Sequence, residues 1–333
     1  MYSCRCPICE DQATVKHIFS RRAVECTSCS QINHAKRDSI IGHKRNGIEV
    51  TLRIDKNSGK AQIEDCESLL LSSNHALGYE FNFLVDGRQY LISRSHSLSE
   101  ISETKKIKLP FFAAECSNCA LVSTLVGPPK DIHNFTCECG HKNSLYESNH
   151  SRGKVRCSCG NDSRLGFKGN LNSPIASPFA IEGICSNKGC ISQLKSSGQF
   201  FASLSEAAFT DLDDPVDFEL SDIHLGDKTD RLIIHGFRKW SDLYTNRQKN
   251  LFFGFARIIK EIKEPEFKIS MAGVFLSCLE HSTQLNTFYK PYSQSAGCFG
   301  RHDYHPKPEP CEVNPLLQKG RVTILNGINA KVE

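Results

Sequence analysis

Cysteine pairs at metal-ligand intervals constrain this chain more than any other feature of its sequence. Cys6-Pro7-Ile8-Cys9 and Cys26-Thr27-Ser28-Cys29 stand 16 residues apart. That falls within the interval of about 15–20 residues that lets two Cys-x-x-Cys knuckles close over one tetrahedral Zn²⁺. Cys116-Ser117-Asn118-Cys119 is followed, after 17 residues, by the shorter knuckle Cys137-Glu138-Cys139-Gly140, whose glycine can supply a turn with positive φ. Cys157-Ser158-Cys159-Gly160 is then left to pair with Cys185 and Cys190, whose separation by four residues still suits a ligand pair. The spacing therefore predicts three sites: Cys6, Cys9, Cys26 and Cys29; Cys116, Cys119, Cys137 and Cys139; Cys157, Cys159, Cys185 and Cys190. Each would be an all-thiolate site, giving about three structural zinc ions, and closed tetrathiolate zinc has no open position for water.

No basic segment followed by an apolar run opens the chain, and no stretch of about 18 apolar residues occurs. The expectation is a cytoplasmic protein without membrane insertion, in which knuckle cysteines are thiolate ligands and not disulfides. Twelve ligating thiolates and three Zn²⁺ would turn the formal charge of +4 into −2, so net charge says little about a nucleic-acid partner. Its distribution says more. Arg21-Arg22, Lys36-Arg37 and Lys44-Arg45 make the first sixty residues basic, whereas Asp211 to Asp222 contains neither Lys nor Arg. Arg21, Arg22, Lys36 and Arg37, with Lys142 and Arg156 beside other knuckles, are the candidate phosphate or partner contacts; ordinary solvated surface is the rival reading.

The pattern along the chain predicts an α+β protein: multiple zinc ribbons and a small β-hairpin unit, then a small helical region. An N-terminal ribbon is expected over 1–36 and a β-hairpin unit with linker over 37–108. In the latter, Glu49 to Ile54 and Lys60 to Ile63 flank Asn57-Ser58-Gly59, and Tyr79 to Val85 meets Gln89 to Ile92 across Asp86-Gly87. Phe81, Phe83 and Val85 would form one buried face. Ser93 to Lys108 reads as a polar linker or surface helix. Tandem ribbons follow over 109–202, an acidic connector over 203–235, and a helical region with an irregular tail over 236–333. Thr245 and Gln248 have capping-box spacing, and Leu251, Phe252, Phe255, Ile258, Ile259 and Ile262 recur at helical intervals until Pro265. A second helix is expected from about Ser270 to Ser282.

The segment Gly236-Phe237-Arg238-Lys239-Trp240-Ser241-Asp242-Leu243-Tyr244-Thr245-Asn246-Arg247-Gln248 resembles the Asp-Leu-Phe/Tyr-Thr-x-Arg-Gln segment of zinc-ribbon-containing prokaryotic adenine-specific DNA methylases. In that family, knuckles precede this segment, a helix follows it, and a stretch ending in Glu-x-Asn-Pro-Phe comes next. Glu312-Val313-Asn314-Pro315-Leu316 occupies the last place here, and Tyr2-Ser3-Cys4-Arg5-Cys6-Pro7 with Phe19-Ser20-Arg21-Arg22 resembles the ribbon entry. The resemblance implies DNA as a partner and Trp240, Tyr244, Arg247 and Gln248 as DNA or partner contacts. The family's Gly-rich cofactor loop and its Asp/Asn-Pro-Pro-Tyr/Phe motif are both missing. Gly127-Pro128-Pro129-Lys130 lacks the acid and the aromatic, and Asn314-Pro315-Leu316 lacks the second proline and the ring.

No catalytic residue is therefore assigned. What the resemblance implies is the ribbon and helical portion of a split or truncated DNA amino-methyltransferase of a modification or defence system. S-adenosylmethionine would then enter only through a catalytic partner chain. A stand-alone nucleic-acid-binding protein and a structural adaptor are the alternatives. No signature of a zinc deaminase, zinc protease or phosphate-cradling loop is present. Cys298, His302, Asp303, His305 and Cys311 hold enough donors for a fourth metal but match no ligand spacing, and Cys4, Cys66 and Cys278 suit buried small hydrophobes.

Overall fold

A computed structural model describes residues 2–65, 74–76, 78–165, 176–190, 198–205, 207–209, 218, 220–290, 294–297 and 304–317. The chain enters through β1 (Ser3–Arg5), turns at the first knuckle into β2 (Gln12–Glu25), and turns again at the second knuckle into β3 (Ile32–His34). Strand β2 runs 14 residues without Gly, Pro, Asn or Asp, so no residue interrupts it. A seven-stranded sheet follows, made of β4 (Ile40–Asp55), β5 (Lys60–Asp65), β6 (Asn74–His75), β7 (Glu80–Val85), β8 (Arg88–Ser93), β9 (Glu103–Glu115) and β10 (Val122–Val126). Two small metal-site sheets come next: β11 (Asn134–Thr136) with β12 (Lys142–Ser144), then β13 (His150–Ser151), β14 (Lys154–Arg156) and β15 (Asp162–Arg164). The chain then returns to the first sheet through β16 (Ala176–Cys185) and β17 (Gln199–Ser203). The molecule is α+β, as its sequence pattern predicts.

Both expected hairpins form, β4 with β5 and β7 with β8. Phe81 and Val85 are buried, Phe83 is half-buried and Leu84 points to solvent, the alternation expected of a one-sided strand. The expected linker or helix over Ser93 to Lys108 is in its second half a strand. Glu103 to Lys108 opens β9 and pairs along β4 from Ile54 to Glu49. Thr104, Lys106 and Lys108 are exposed while their neighbours are half-buried, so the charges occupy the solvent face of a sheet edge and do not mark a helix.

The helical region comprises α1 (Asp230–Ile234), α2 (Asn246–Glu261) and α3 (Pro265–Ser282). Thr245 caps α2, accepting from the Gln248 N–H while the Gln248 side chain accepts from the Thr245 N–H. Pro265 ends one pattern and starts the next: at the first position of α3 its missing N–H has no intrahelical use, which moves the helix start five residues ahead of expectation. Phe252, Leu243, Tyr244, Phe237 and Cys278 form the core under the pair. The tail adds β18 (Thr287–Tyr289), β19 (Gln294–Ala296) and β20 (Cys311–Val313), the last paired with His17 to Phe19 of β2. Most of the expected acidic stretch, residues 211–217 and 219, lies outside the described residues.

A layer of buried charge fastens this tail. Glu312 accepts from Tyr2 Oη at 2.7 Å and takes a two-pronged contact from Arg247, at 3.1 and 2.6 Å. The Gln248 amide donates to the Ser282 and Val313 carbonyls, and Asn314 Nδ2 donates to Val15 O. One layer away, Glu182 is held by Lys16 at 3.0 Å and His17 at 2.6 Å, all three fully or nearly fully buried. Removing one partner of such a pair strands the other: Glu312→Ala should destabilise the chain by about 3–5 kcal/mol, read as a shifted denaturation midpoint. Burial would push Glu182 up, but Lys16 and His17 outweigh it and hold the carboxyl below its usual range, while burial pushes His17 down. Both folded-state values are depressed, so both contributions are present at neutral pH. They should fade in two stages during acid titration, His17 from about pH 6.5 and Glu182 from about pH 4.3.

Candidate metal centres

The twelve knuckle cysteines gather into three tetracysteine groups, with the four sulfurs of each group within 4.8 Å of one another. The groups are Cys6, Cys9, Cys185 and Cys190; Cys26, Cys29, Cys157 and Cys159; and Cys116, Cys119, Cys137 and Cys139. Closest cross-knuckle sulfurs lie 3.6 to 3.7 Å apart in the first, 3.5 to 3.6 Å in the second and 3.6 to 3.7 Å in the third. A tetrahedron with Zn–S bonds of about 2.3 Å has edges of about 3.8 Å, whereas a disulfide would need about 2.05 Å. The donor sets therefore fit tetrahedral zinc.

The ligands are those expected, but two of the three pairings are not. The knuckles at Cys6 and Cys26 never meet, because β2 joins them as one extended strand of 14 residues, a span of about 45 Å. Each finds a distant partner: Cys9 pairs across 176 positions to Cys185, and Cys29 across 128 to Cys157. The three sites are thus nested, each enclosed in sequence by the next, and the expected independent ribbon over 1–36 does not form.

The knuckle turns explain how the sulfurs converge. After each Cys-x-x-Cys, one non-glycine residue takes positive φ: Glu10 (61°), Ser30 (58°) and Ala120 (58°). The backbone closes on itself there, with Glu10 N donating to Cys6 O, Ser30 N to Cys26 O and Ala120 N to Cys116 O. In the shorter knuckles Gly140 and Gly160 fill the same role at φ of 82° and 89°. The second and third sites are copies of one template. Asn143 receives the Ser117 N–H in one, and Ser163 receives the Thr27 N–H in the other. Strands β11 and β12 correspond to β14 and β15 at a constant offset of twenty residues.

Both templates hold thiols predisposed to ionise, Cys116 in one and Cys26 and Cys157 in the other, Cys26 being lowered by the N–H groups of Ser28 and Cys29. At Cys116 burial pushes upward, but the N–H groups of Cys119 and Asn118 and the Asn143 amide bring it down to about 6. At Cys157 the Cys159 N–H dominates and brings the thiol down to about 6. Cys4 and Cys278, by contrast, are pushed up to about 12 by burial, and the buried Cys311 is raised as well. These three are inert core thiols. Cys66 and most of the candidate fourth metal cluster, Cys298, His302 and Asp303, lie outside the described residues.

The expected DNA or partner contacts mostly face inward. Arg22 is buried over the Phe237 ring. Arg21 pairs with Glu115 at 2.5 Å and lies over Phe179, joining the two large sheets. Arg247 and Gln248 are buried against Glu312 and Val313 as described, and Tyr244 is buried with its hydroxyl on Leu279 O. The Trp240 to Gln248 segment does meet the Glu312 stretch, but as core and not as surface, since Arg247, Gln248, Glu312 and Val313 are all buried where they meet. Trp240 is half-buried, edge-on to Tyr304. Lys36 is half-buried, while Arg37, Lys142 and Arg156 are exposed. Exposed cations that spacing alone did not single out are Arg152, Lys154 and Arg164, around and on β14 and β15.

No protein family, characterised protein or solved structure matches this chain. Among the described residues no helix is long and apolar enough to cross a membrane.

The pairing has a direct check. Cys6→Ser and Cys185→Ser should each cost one zinc of three, and the double variant should lose no more than either alone, by metal analysis. Cys26→Ser combined with Cys185→Ser should lose two. If Cys6→Ser and Cys26→Ser instead proved redundant, the adjacent-knuckle pairing would be restored.

Proposed function

We propose that the chain is a zinc-stapled nucleic-acid-binding scaffold. Within a split DNA amino-methyltransferase it would form the recognition part, with S-adenosylmethionine and catalysis on a partner chain. The observation that carries the nucleic-acid reading is a difference between the two template copies. On the inner copy, the outward positions of β11 and β12 are Asn134, Thr136, Lys142 and Ser144; on the outer copy the same positions are Lys154, Arg156, Asp162 and Arg164. Both copies would carry the same tetrathiolate zinc, formally −2, so the metal does not require the added cations. Lys154 and Arg164 lie directly opposite one another. Arg156 faces Asp162 in the next pair on that face, so the outer copy presents three cations and one acid where the inner copy presents Lys142 as its one charge. Arg152, also exposed, stands in the turn beside them.

The methylase assignment rests on the resemblance of residues 236–248 and 312–316. The mutual contact of Arg247 and Gln248 with Glu312 and Val313 supports it. A protein partner is supported by apolar residues left in solvent on the helical pair, among them Ile258, Ile269 and Leu276, at 60, 72 and 65 % exposure.

Salt-dependent binding of the zinc-loaded chain to duplex DNA tests the first element. Lys154→Glu with Arg156→Glu should weaken binding at least about tenfold and reduce the slope of log K against log salt by about two, with zinc content unchanged. Unaltered affinity in that variant would remove the basic face from the proposal. Co-purification of a methylase chain lacking ribbons would select the split enzyme over a stand-alone binder, and absence of DNA binding with partner capture intact would select the adaptor.

A further inference from the structure

The three tetracysteine groups differ in how far their sulfurs are open to attack. In the outermost, Cys6, Cys185 and Cys190 are at most 2 % exposed and Cys9 is half-buried. The innermost exposes Cys139 alone. The middle group exposes one ligand on each of its knuckles, Cys29 and Cys159, while Cys26 and Cys157 are buried. Each exposed sulfur has a buried one within reach on the opposite knuckle: Cys159 lies 3.6 Å from Cys26, and Cys29 lies 3.5 Å from Cys157. An accessible thiolate with a second one beside it is the arrangement that converts an oxidant's attack into a disulfide.

The two template copies sharpen the comparison. Cys159 with Cys26 corresponds to Cys139 with Cys116, which lie 3.7 Å apart. Each exposed sulfur accepts one amide, from Asn161 at 3.7 Å and from Asn118 at 3.9 Å, so the atoms first attacked are alike. Their buried neighbours are not. Cys116 accepts the Asn143 amide at 3.4 Å, a contact it must give up before its sulfur can attack another. Ser163 stands at that place in the middle group; it keeps the contact to the knuckle, accepting from the Thr27 N–H, but has no amide to offer Cys26. The strands on either side of the Cys157–Cys159 turn also carry three cations and one acid, against one cation in the inner copy. Open thiolates in electropositive surroundings are the reactive kind.

We propose that the middle group is a peroxide-oxidised site, in which Cys159 and Cys26 close to a disulfide before either of the other groups reacts. The Cys159 thiolate attacks one oxygen of hydrogen peroxide; the O–O bond breaks, leaving a sulfenic acid and one hydroxide. The Cys26 thiolate then attacks the sulfenic sulfur, the S–O bond breaks, and a second hydroxide leaves. Two thiolates lose two electrons in all, and one peroxide is reduced to two hydroxides. Cys29 and Cys157 are then too few to hold a tetrahedral zinc ion. Because the new bond joins the same two knuckles as the metal site, the link between β2 and the β14–β15 turn survives oxidation, and a thiol reductant with zinc restores the site. The inference stands without the nucleic-acid reading. It rests on each group holding zinc, which metal analysis of the untreated chain checks separately.

Hydrogen peroxide in small molar excess, added to the zinc-loaded full chain while a chromogenic chelator reports free zinc, tests this. One zinc of three should appear at least about tenfold faster than the others, and peptide mapping at that point should find Cys26 joined to Cys159. Dithiothreitol with added zinc should return the metal content to three. Ser163→Asn, which gives the middle group the inner copy's amide, should slow the first phase about threefold or more. Asn143→Ser should bring release from the inner group toward the first phase. Lys154→Glu with Arg156→Glu, on an exposed face, is the further arm should either variant fail to hold three zinc ions before oxidation, and it should slow the first phase by about threefold as well. Simultaneous loss of all three ions overturns the proposal, as does a first disulfide anywhere but between Cys26 and Cys159. Oxidation confined to sulfinic and sulfonic acids on single cysteines, or a first phase indifferent to all of these variants, also overturns it.

Discussion

Strand β2 is the constraint from which the rest of this molecule follows. It carries half of one metal site at each end and is too long for the two halves to share an ion. Each half must therefore be completed by chain that returns from far downstream. Cys185 and Cys190 return at the end of β16, which pairs along β2 from Ala13 to Arg22. Cys157 and Cys159 return on the turn between β14 and β15. The seven-stranded sheet and the innermost site are then an insertion between the two halves of the middle site. In a chain of this kind metal binding would do more than rigidify local loops, because two of the three tetracysteine groups join segments far apart in sequence.

The second dependence is ionic. β2 is paired on both sides, by β16 and by the short β20, and its centre carries Lys16 and His17 into the interior. An isolated charge there would be prohibitive, and Glu182 makes it tolerable. The same logic holds β20, three residues too short to dock by ladder bonds alone. Glu312 meets Arg247 and Tyr2 in a fully excluded layer, tying the helical region to the first strand of the chain. Misregistering β20 by one residue would turn Glu312 away from Arg247, so the pair selects the register as well as holding it.

Much of this was legible and one central feature was not. All twelve ligand cysteines, both hairpins and the Thr245–Gln248 cap follow from spacing, turn formers and periodicity, which are local properties. The partnering of knuckles is non-local, yet a local signal bore on it. Between Gln12 and Glu25 there is no Gly, Pro, Asn or Asp, the residues that favour a tight hairpin turn between Cys9 and Cys26. Between Cys119 and Cys137, Gly127-Pro128-Pro129, Asp131 and Asn134 supply the turns a true ribbon needs. The inward fate of Arg21, Arg22, Arg247 and Gln248 had no such signal. The acidic partners of Arg21 and Arg247, namely Glu115, Glu309 and Glu312, lie 65 or more residues away, as do Phe237 under Arg22 and Val313 beside Gln248, and such contacts leave no periodic mark. The exposed cations on β14 and β15 become significant only beside the copy of their template whose same face carries Lys142 as its one charge.

Nesting also orders assembly. Closing a loop costs about 0.6 kcal/mol more for each doubling of its length. Against the 18 positions between Cys119 and Cys137, closure over 128 or 176 positions costs roughly 1.7–2 kcal/mol more from a disordered chain. Much of that difference vanishes if the enclosed segment has already folded. The innermost site, with the sheet that ends in β9 and β10, can close first from local contacts. Once it is compact, the ends of the middle loop are brought together, and the outermost site then meets ends already aligned by β2 and β16. Topology favours that order: the inner and middle sites share one strand template, yet only the inner joins knuckles close enough in sequence to form before the rest of the chain is in place.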